Sequence, residues 1–567
     1  MTVPAQERDG EVSIRESPGR AATALLERWA TILVVLYGSA RLALLAFSDL
    51  HARSLFFAAP DDAFYYLQIA WNLSRGLGST FDGIHLTNGY QPAWCLLLVP
   101  VAWLARSRAA LFDASIGLAC VLHVGAGVVL VSVARRLFAG GWPVLVALAW
   151  FASPRLDNFV HLESPLNALS LALVLLAAID VARDEPAATR ATPSSVDRRA
   201  RDWARLGVAL AFASLTRLDN AIFVPIAVLA AWLGEPGDVR SRLRAAMRVA
   251  LPAALTLATY ALVNRAYIGA WLPVSGTLKA EMLRSEIRNL LLGPGWTAIP
   301  GFLSKQLGIA VMAGPGAGVA SWVFGAVWVE HRASMVVPVA LVVAAILACR
   351  AGWTRSPKLA RAWLATLLGI GAHFVFMLCM VGSFPREWHF IPEVMVLILA
   401  AGIGVPRMIA ACAPWKARGG SWARVALTAL LATAVGWRVH EGYASARSSF
   451  EWGHLMRNDQ LAMGRYWGGQ LPAGTRVGAW NAGYLAYFSD LQVVNLDGLV
   501  NEPSFAAQIA DDRWLEYCQR KGIAYVIDTW GGAFDLLAKQ TEIAARRHFS
   551  PDSRFEYVML RIPSPSG

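Results

Sequence analysis

Charge is what this sequence has little of. Only 16% of its 567 residues are Asp, Glu, Lys or Arg, where a soluble chain carries about a quarter. That shortage excludes an ordinary soluble enzyme. Cysteine is scarce too, and the six cysteines form no Cys-x-x-Cys pair. Cys120, Cys349, Cys379 and Cys412 lie in or beside apolar runs and read as small core residues. Cys95 and Cys518 are both expected outside the membrane, and nothing in the sequence pairs them. No internal repeat is visible, which counts against a repeat-built transporter. No cytoplasmic stretch is long enough for a nucleotide-binding α/β domain. The polar stretch from Met1 to Arg28 lacks an apolar core followed by a small-residue cleavage site. It reads as a cytoplasmic tail rather than a signal peptide.

What the sequence has is hydrophobic length. Apolar residues make up 56% of it, and long apolar runs recur from Trp29 to about His440. Runs of this kind are membrane spans. The net charge of +12 would raise nucleic acid as a partner in a soluble protein. Here the arginines cluster in short loops, at Arg135-Arg136, Arg183–Arg205, Arg240–Arg248, Arg350–Arg361 and Arg407–Arg424. Such clusters hold loops in the cytoplasm. One assignment places them all inside: about eleven spans, N-terminus inside, C-terminus outside. The expected fold is therefore an α-helical polytopic membrane protein with a C-terminal extracytoplasmic α/β domain. The boundaries are a tail over 1–28, a membrane domain over 29–440 and a soluble domain over 441–567. A long first external loop covers 49–113, and a second one, near 154–164, carries Asp157, His161 and Glu163.

In the last region, Arg476–Trp480, Leu491–Leu496, Ile523–Asp528 and Phe555–Ile562 read as strands, and Asp511–Gln519 as a helix. The stretch 183–205 holds Pro186, Pro193, Ser194 and Ser195 and reads as a mobile connection.

The first external loop carries the most chemistry. Asp61 and Asp62 follow Pro60 and open an aromatic-rich helix, Ala63-Phe64-Tyr65-Tyr66-Leu67. Phe64, Leu67 and Trp71 share one face; Gln68, Asn72 and Arg75 share the other. That pattern predicts an amphipathic helix along the membrane surface, with Gly76 as its C-cap. Trp94–Leu104 is apolar but short for a span, and is placed as a loop helix packed at the membrane. Carboxylates at a membrane surface are costly unless solvated, paired or used.

These residues carry a resemblance. The chain resembles the glycosyltransferase superfamily C, multi-spanning enzymes that take sugars from polyprenyl-phosphate donors. The resemblance rests on Asp61-Asp62 in the first external loop, on Arg135-Arg136-Leu137-Phe138-Ala139-Gly140 and on Glu163 in the second loop. Asp61-Asp62-Ala63-Phe64-Tyr65-Tyr66 with Thr87-Asn88-Gly89-Tyr90-Gln91-Pro92 looks like a bacterial branch of it. The resemblance implies transfer of a hexose or pentose to a hydroxyl on a glycan, lipid or protein. It implies a plasma (inner) membrane location and cell-envelope glycan synthesis. The partners it implies are a polyprenyl-phosphate sugar and membrane lipids, with no nucleic acid. The alternative, from another class, is a multi-span transporter or lipid flippase. The acids lie in loops rather than mid-span, which favours the enzyme.

The implied reaction needs a carboxylate to take the acceptor proton and cations or a metal to stabilise the leaving phosphate. Asp61 is the expected general base, tuned by Asp62, since adjacent carboxylates push one pKa upward. The pair also reads as a helix cap and a first-turn acid. Glu163 is a candidate for orienting the acceptor or sharing a metal, against a plain loop acid; His161 ranks below it. Lys279 and Arg386 are the leading phosphate binders, each equally readable as an interfacial snorkelling residue. His389 and Arg217 follow them, and Arg217 with Asp219 also reads as a local ion pair. Neither loop has an Asp-x-Asp spacing, so a divalent cation is left open. Asn495-Leu496-Asp497-Gly498 reads first as an Asp-Gly turn and second as an acceptor-site lining.

Overall fold

The computed structural model describes residues 28–40, 43, 59–137, 142–151, 162–182, 193–292, 357–380, 387–400, 459–509, 513–550 and 555–564. Arg386, His161 and the spans expected near 334–348 and 425–439 lie outside these.

After a helix over 28–40 (α1), the helices that build the site begin with α2 (Asp61–Ser74) and α3 (Pro92–Leu104). Next come α4 (Arg108–Leu137), α5 (Trp142–Phe151), α6 (Ser164–Ala182), α7 (Pro193–Thr216), α8 (Phe223–Gly234) and α9 (Val239–Tyr267). Then follow α10 (Val274–Leu292), α11 (Pro357–Met380) and α12 (Ile391–Ala400). Among the described residues four helices are long and apolar enough to cross a membrane: α4, α6, α9 and most of α11.

These helices share a polarity of charge. Arg135 and Arg136 close α4, and Arg136 pairs with Asp180 near the end of α6 at 3.3 Å. Arg199, early in α7, pairs with Glu235 just past α8 at 3.2 Å. Arg240, Arg242, Arg244 and Arg248 lie in the first half of α9, and Lys358 and Arg361 open α11. The opposite ends of these helices carry the residues of the candidate site. The expected mobile connection is half helix: from Pro193 on it is the start of α7. Trp203 and Leu206 are buried there in a core shared with α8 and α9, while Pro at the first position pre-sets the helical φ.

The C-terminal region begins with a helix over 459–470 and forms a mixed five-stranded sheet. Its strands are β1 (Arg476–Ala479), β2 (Gln492–Asn495), β3 (Tyr525–Thr529), β4 (Glu542–Arg547) and β5 (Tyr557–Arg561), in the order β2-β1-β3-β5-β4. The first three are parallel, and β5 runs antiparallel to both its neighbours, β3 and β4. The four expected strands are present within a residue or two, and β4 is additional. A short helix, Ala482–Phe488, crosses from β1 to β2. The chain then returns past β1 to β3, so β1 and β3 form the switch point where such sheets leave a crevice.

The first loop and this sheet share one hydrophobic core, running from Ala59 and Phe64 through Trp94 and Phe112 to Tyr484, Tyr487 and Ile527. Phe64 is 1% exposed, with ring centroids 4.3 Å from Tyr484, 5.2 Å from Tyr487 and 5.6 Å from Phe112. This corrects the expected surface helix. Gln68 and Asn72, on its supposed wet face, are buried, and Asn72 donates to the carbonyls of Thr80 and Phe81 at 2.9 and 3.1 Å. The period-3.6 pattern was real, but a polar face bonded inside the loop is as compatible with burial as with water. The helix ends as expected: Gly76 has φ +79°. The Gly76 and Leu77 amides reach back to Leu73 and Asn72, a Schellman ending.

Candidate active site

Asp61 opens α2, and its carboxylate accepts from the amides of Gly483 and Tyr484, one per oxygen, at 3.0 Å each. It thereby caps the helix that follows β1. The Tyr484 hydroxyl donates to the carbonyl of Ala59 at 2.9 Å. Burial outweighs these bonds and pushes the Asp61 carboxyl up to about 7. Asp528, on β3, closes the same crevice. It accepts from the Trp480 and Asn481 amides at 2.7 and 2.9 Å and from the Asn481 side chain. Burial pushes it up as well.

Asp62 stands on the next position; like Asp61 it acts on Tyr65 and Asp497, and Lys279 feels its charge as well. Tyr65 donates to Asp497 Oδ2 at 2.7 Å. Burial pushes the Asp497 carboxyl up to about 7. Lys279, on α10, makes no ion pair or hydrogen bond among the described residues. Burial pushes its ammonium down, against the pull of Asp62.

Behind this pair lies a buried ionic chain. Glu163 accepts from Tyr66 Oη at 3.0 Å and from Arg217 Nη1. Arg217 also clasps Asp219, at 3.1 Å from Nε and 3.0 Å from Nη2. Asp219 continues to His373 Nε2 at 3.3 Å, and His373 Nδ1 lies 2.6 Å from Glu393 Oε1. Arg217, Glu163, His373 and Glu393 are all buried. His389 is buried too, beside the charges of Arg217 and Lys279. Burial, then those cations, pushes its imidazole down.

The structure thus gathers Asp61, Asp62, Glu163, Lys279 and His389 into one region. Arg217 sits at the centre of that region, bridging two loops rather than forming only a local pair. His373 and Glu393 were missed by sequence reading, and the placement of acids in loops alone is corrected. Both sit in apolar runs, where an ionisable residue is itself a signal. Among the described residues no group of three or more His, Cys, Asp or Glu has metal-binding geometry. Cys95 and Cys518 are both buried free thiols.

Three neighbouring residues of the loop position this site. Asn88 donates to the Leu272 carbonyl at 3.2 Å and accepts from the Val274 amide at 3.0 Å, which fixes the start of α10 and so Lys279. Gly89 lies so close to the Leu499 backbone that a Cβ would overlap its carbonyl. That approach admits the turn carrying Asp497. Gln91 Oε1 accepts from the Leu218 amide at 3.1 Å, beside Arg217.

A family described as a domain of unknown function, DUF8728, matches residues 451–560. No curated protein matches. Among solved structures, ArnT from Cupriavidus metallidurans bound to undecaprenyl phosphate is 14% identical, with a TM-score of 0.52. The match covers 92% of this chain and 97% of that one. The archaeal oligosaccharyltransferase AglB from Archaeoglobus fulgidus, in complex with an inhibitory peptide and a dolichol-phosphate, is 13% identical, with a TM-score of 0.46. That match covers 94% of this chain and 74% of AglB. The chain shares the fold of ArnT.

Proposed function

We propose that the protein moves a sugar from a polyprenyl-phosphate donor to an acceptor hydroxyl at the extracytoplasmic membrane face. The observation that carries this reading is that Asp62 lies within electrostatic reach of Lys279 at the arginine-poor end of apolar helices. A carboxylate and a cation there meet the two needs of the reaction, a proton acceptor and a phosphate partner. The arginine-rich helix ends support a cytoplasmic placement for the other side.

In this reading Asp62 is the general base and Asp61 the clamp, the reverse of the order expected from sequence. Both Asp61 oxygens are held by backbone amides. The acceptor oxygen bonds to the anomeric carbon as the bond from that carbon to the phosphate oxygen breaks. The acceptor proton passes to Asp62, and the electron pair leaves with the polyprenyl phosphate. Lys279 meets the phosphate, with His389 beside it. The Arg217 chain holds Glu163 and Tyr66 in place behind them.

The test uses the full chain in lipid nanodiscs with a panel of polyprenyl-phosphate hexoses and pentoses. Loss of a general base costs about 10²–10⁴ in rate. Asp62→Asn is expected to lose that much, and Asp61→Asn less than about tenfold once matched for thermal stability. Lys279→Ala is expected to weaken binding of undecaprenyl phosphate. Full turnover in Asp62→Asn would remove the base assignment; a wild type inert to every donor would remove the reading.

A further inference from the structure

We propose that Asp497, supplied by the sheet region, is a third carboxylate of the reaction centre and holds the acceptor hydroxyl against Asp62. This rests on the transfer reading above.

Three observations carry it. First, the position of Asp497. It lies two residues past β2, at the carboxyl ends of the parallel strands, where sheets of this kind bind ligands. The sequence Asn495-Leu496-Asp497-Gly498 reads first as an Asp-Gly turn and second as an acceptor-site lining, and this turn is wedged between two other elements. Gly498 has φ +80°, and a Cβ there would overlap Phe505 and Leu278 of α10. On the other side Gly89 leaves room only for backbone.

Second, the turn is rigid. The Gly498 amide donates to Asn495 Oδ1 at 2.9 Å, and the Leu499 amide to Asp497 Oδ1 at 2.7 Å. Asn501 Nδ2 donates to the Asn495 carbonyl at 2.5 Å. The second oxygen, Oδ2, is thereby aimed at Tyr65.

Third, charge is divided across the site. Around the Tyr65 phenol stand Asp61, Asp62 and Asp497. Around His389 stand Arg217 and Lys279, partly offset by Asp219. A phosphate seeks the cationic flank. Carboxylates repel it and accept hydroxyl protons instead. A third carboxylate is a costly way merely to hold Tyr65, because an asparagine would accept the same bond without the charge. The acceptor class that fits the acidic flank is a polyol or sugar hydroxyl. The first loop and the sheet region then each provide one wall of the acceptor subsite.

The test separates acceptor binding from donor chemistry. Full-length protein in nanodiscs is given the polyprenyl-phosphate sugar that wild type uses best. Release of polyprenyl phosphate to water is measured beside transfer to glycerol, a simple polyol probe. Asp497→Asn should hydrolyse the donor within about threefold of wild type. Its transfer to glycerol should fall at least about tenfold, through the glycerol KM rather than kcat. Tyr65→Phe, which removes the hydrogen bond but keeps the carboxylate, should lose clearly less transfer than Asp497→Asn. Unchanged transfer in Asp497→Asn overturns the proposal. So does a parallel loss of hydrolysis and transfer, or the same loss in Tyr65→Phe, since either makes Asp497 a docking residue. A wild type that releases no polyprenyl phosphate from any donor fails earlier, and removes the transfer reading and this assignment together.

Discussion

Asp61 should make the join between the first loop and the sheet weaken as pH rises. Its carboxyl is pushed to about 7 by burial, whereas in an unfolded chain it titrates near about 3.9. Between those values the folded protein holds a proton that the unfolded chain has released. Stability is therefore full below about pH 4, falls as pH rises towards about 7, and is flat above. Three pKa units correspond to about 4 kcal/mol. Asp61 is only partly enclosed from solvent, which trims the expected loss to about 2 kcal/mol. Asp497, pushed up to about 7 by the same cause, adds in the same direction. Asp61→Asn cannot titrate, and it loses one of the two acceptors facing Gly483 and Tyr484, at a cost of about 1–2 kcal/mol. The variant should thus melt below wild type at pH 5, and the gap should close or reverse by pH 8. Thermal melts followed by tryptophan fluorescence at pH 5, 6.5 and 8 measure it. A gap that stays constant across the three pH values refutes the argument, because it would leave Asp61 with no shifted titration.

Other tests address other parts of the structure. Arg217→Ala strands Glu163 and Asp219 as buried carboxylates and should cost about 3–5 kcal/mol, seen as a lower melting temperature; an unchanged melt would mean the chain is solvated. Gly89→Ala forces a methyl group into the Leu499 backbone and should cost about 1–3 kcal/mol. Proteolysis of the C-terminal region should then quicken, and unaltered resistance would show the turn has room to move. Impermeant thiol reagents applied from outside should label Ser504→Cys and spare Ser195→Cys. The opposite pattern would reverse the assigned orientation.

The membrane class, the arginine-rich helix ends and the strands of the last region were legible because each depends on local composition or period. Apolar length needs no partner to be read, and neither do alternating β-branched residues between turns. The acidic pair and the aromatic run after it were legible as a candidate site. How each acid is held there was not. Asp61 and Asp62 are neighbours in sequence with the same side chain, and only the fold tells them apart, since Gly483 and Tyr484 are brought to one of them from more than 400 positions away. Asn88, Gly89 and Gln91 were legible only as part of the run that carries the resemblance. Their effect is to fix Lys279, the Asp497 turn and the segment beside Arg217 by contacts that no spacing encodes. His373 and Glu393 stayed hidden in apolar runs for the same reason: an ionisable residue there is stable only if partnered, and its partner lies on another helix. Sequence alone determined which segments are apolar, which ends are basic and where acids cluster, because those are properties of neighbours along the chain. The tertiary structure decided which carboxylate clamps and which ones face Lys279, because burial and hydrogen-bond partners are set by neighbours in space.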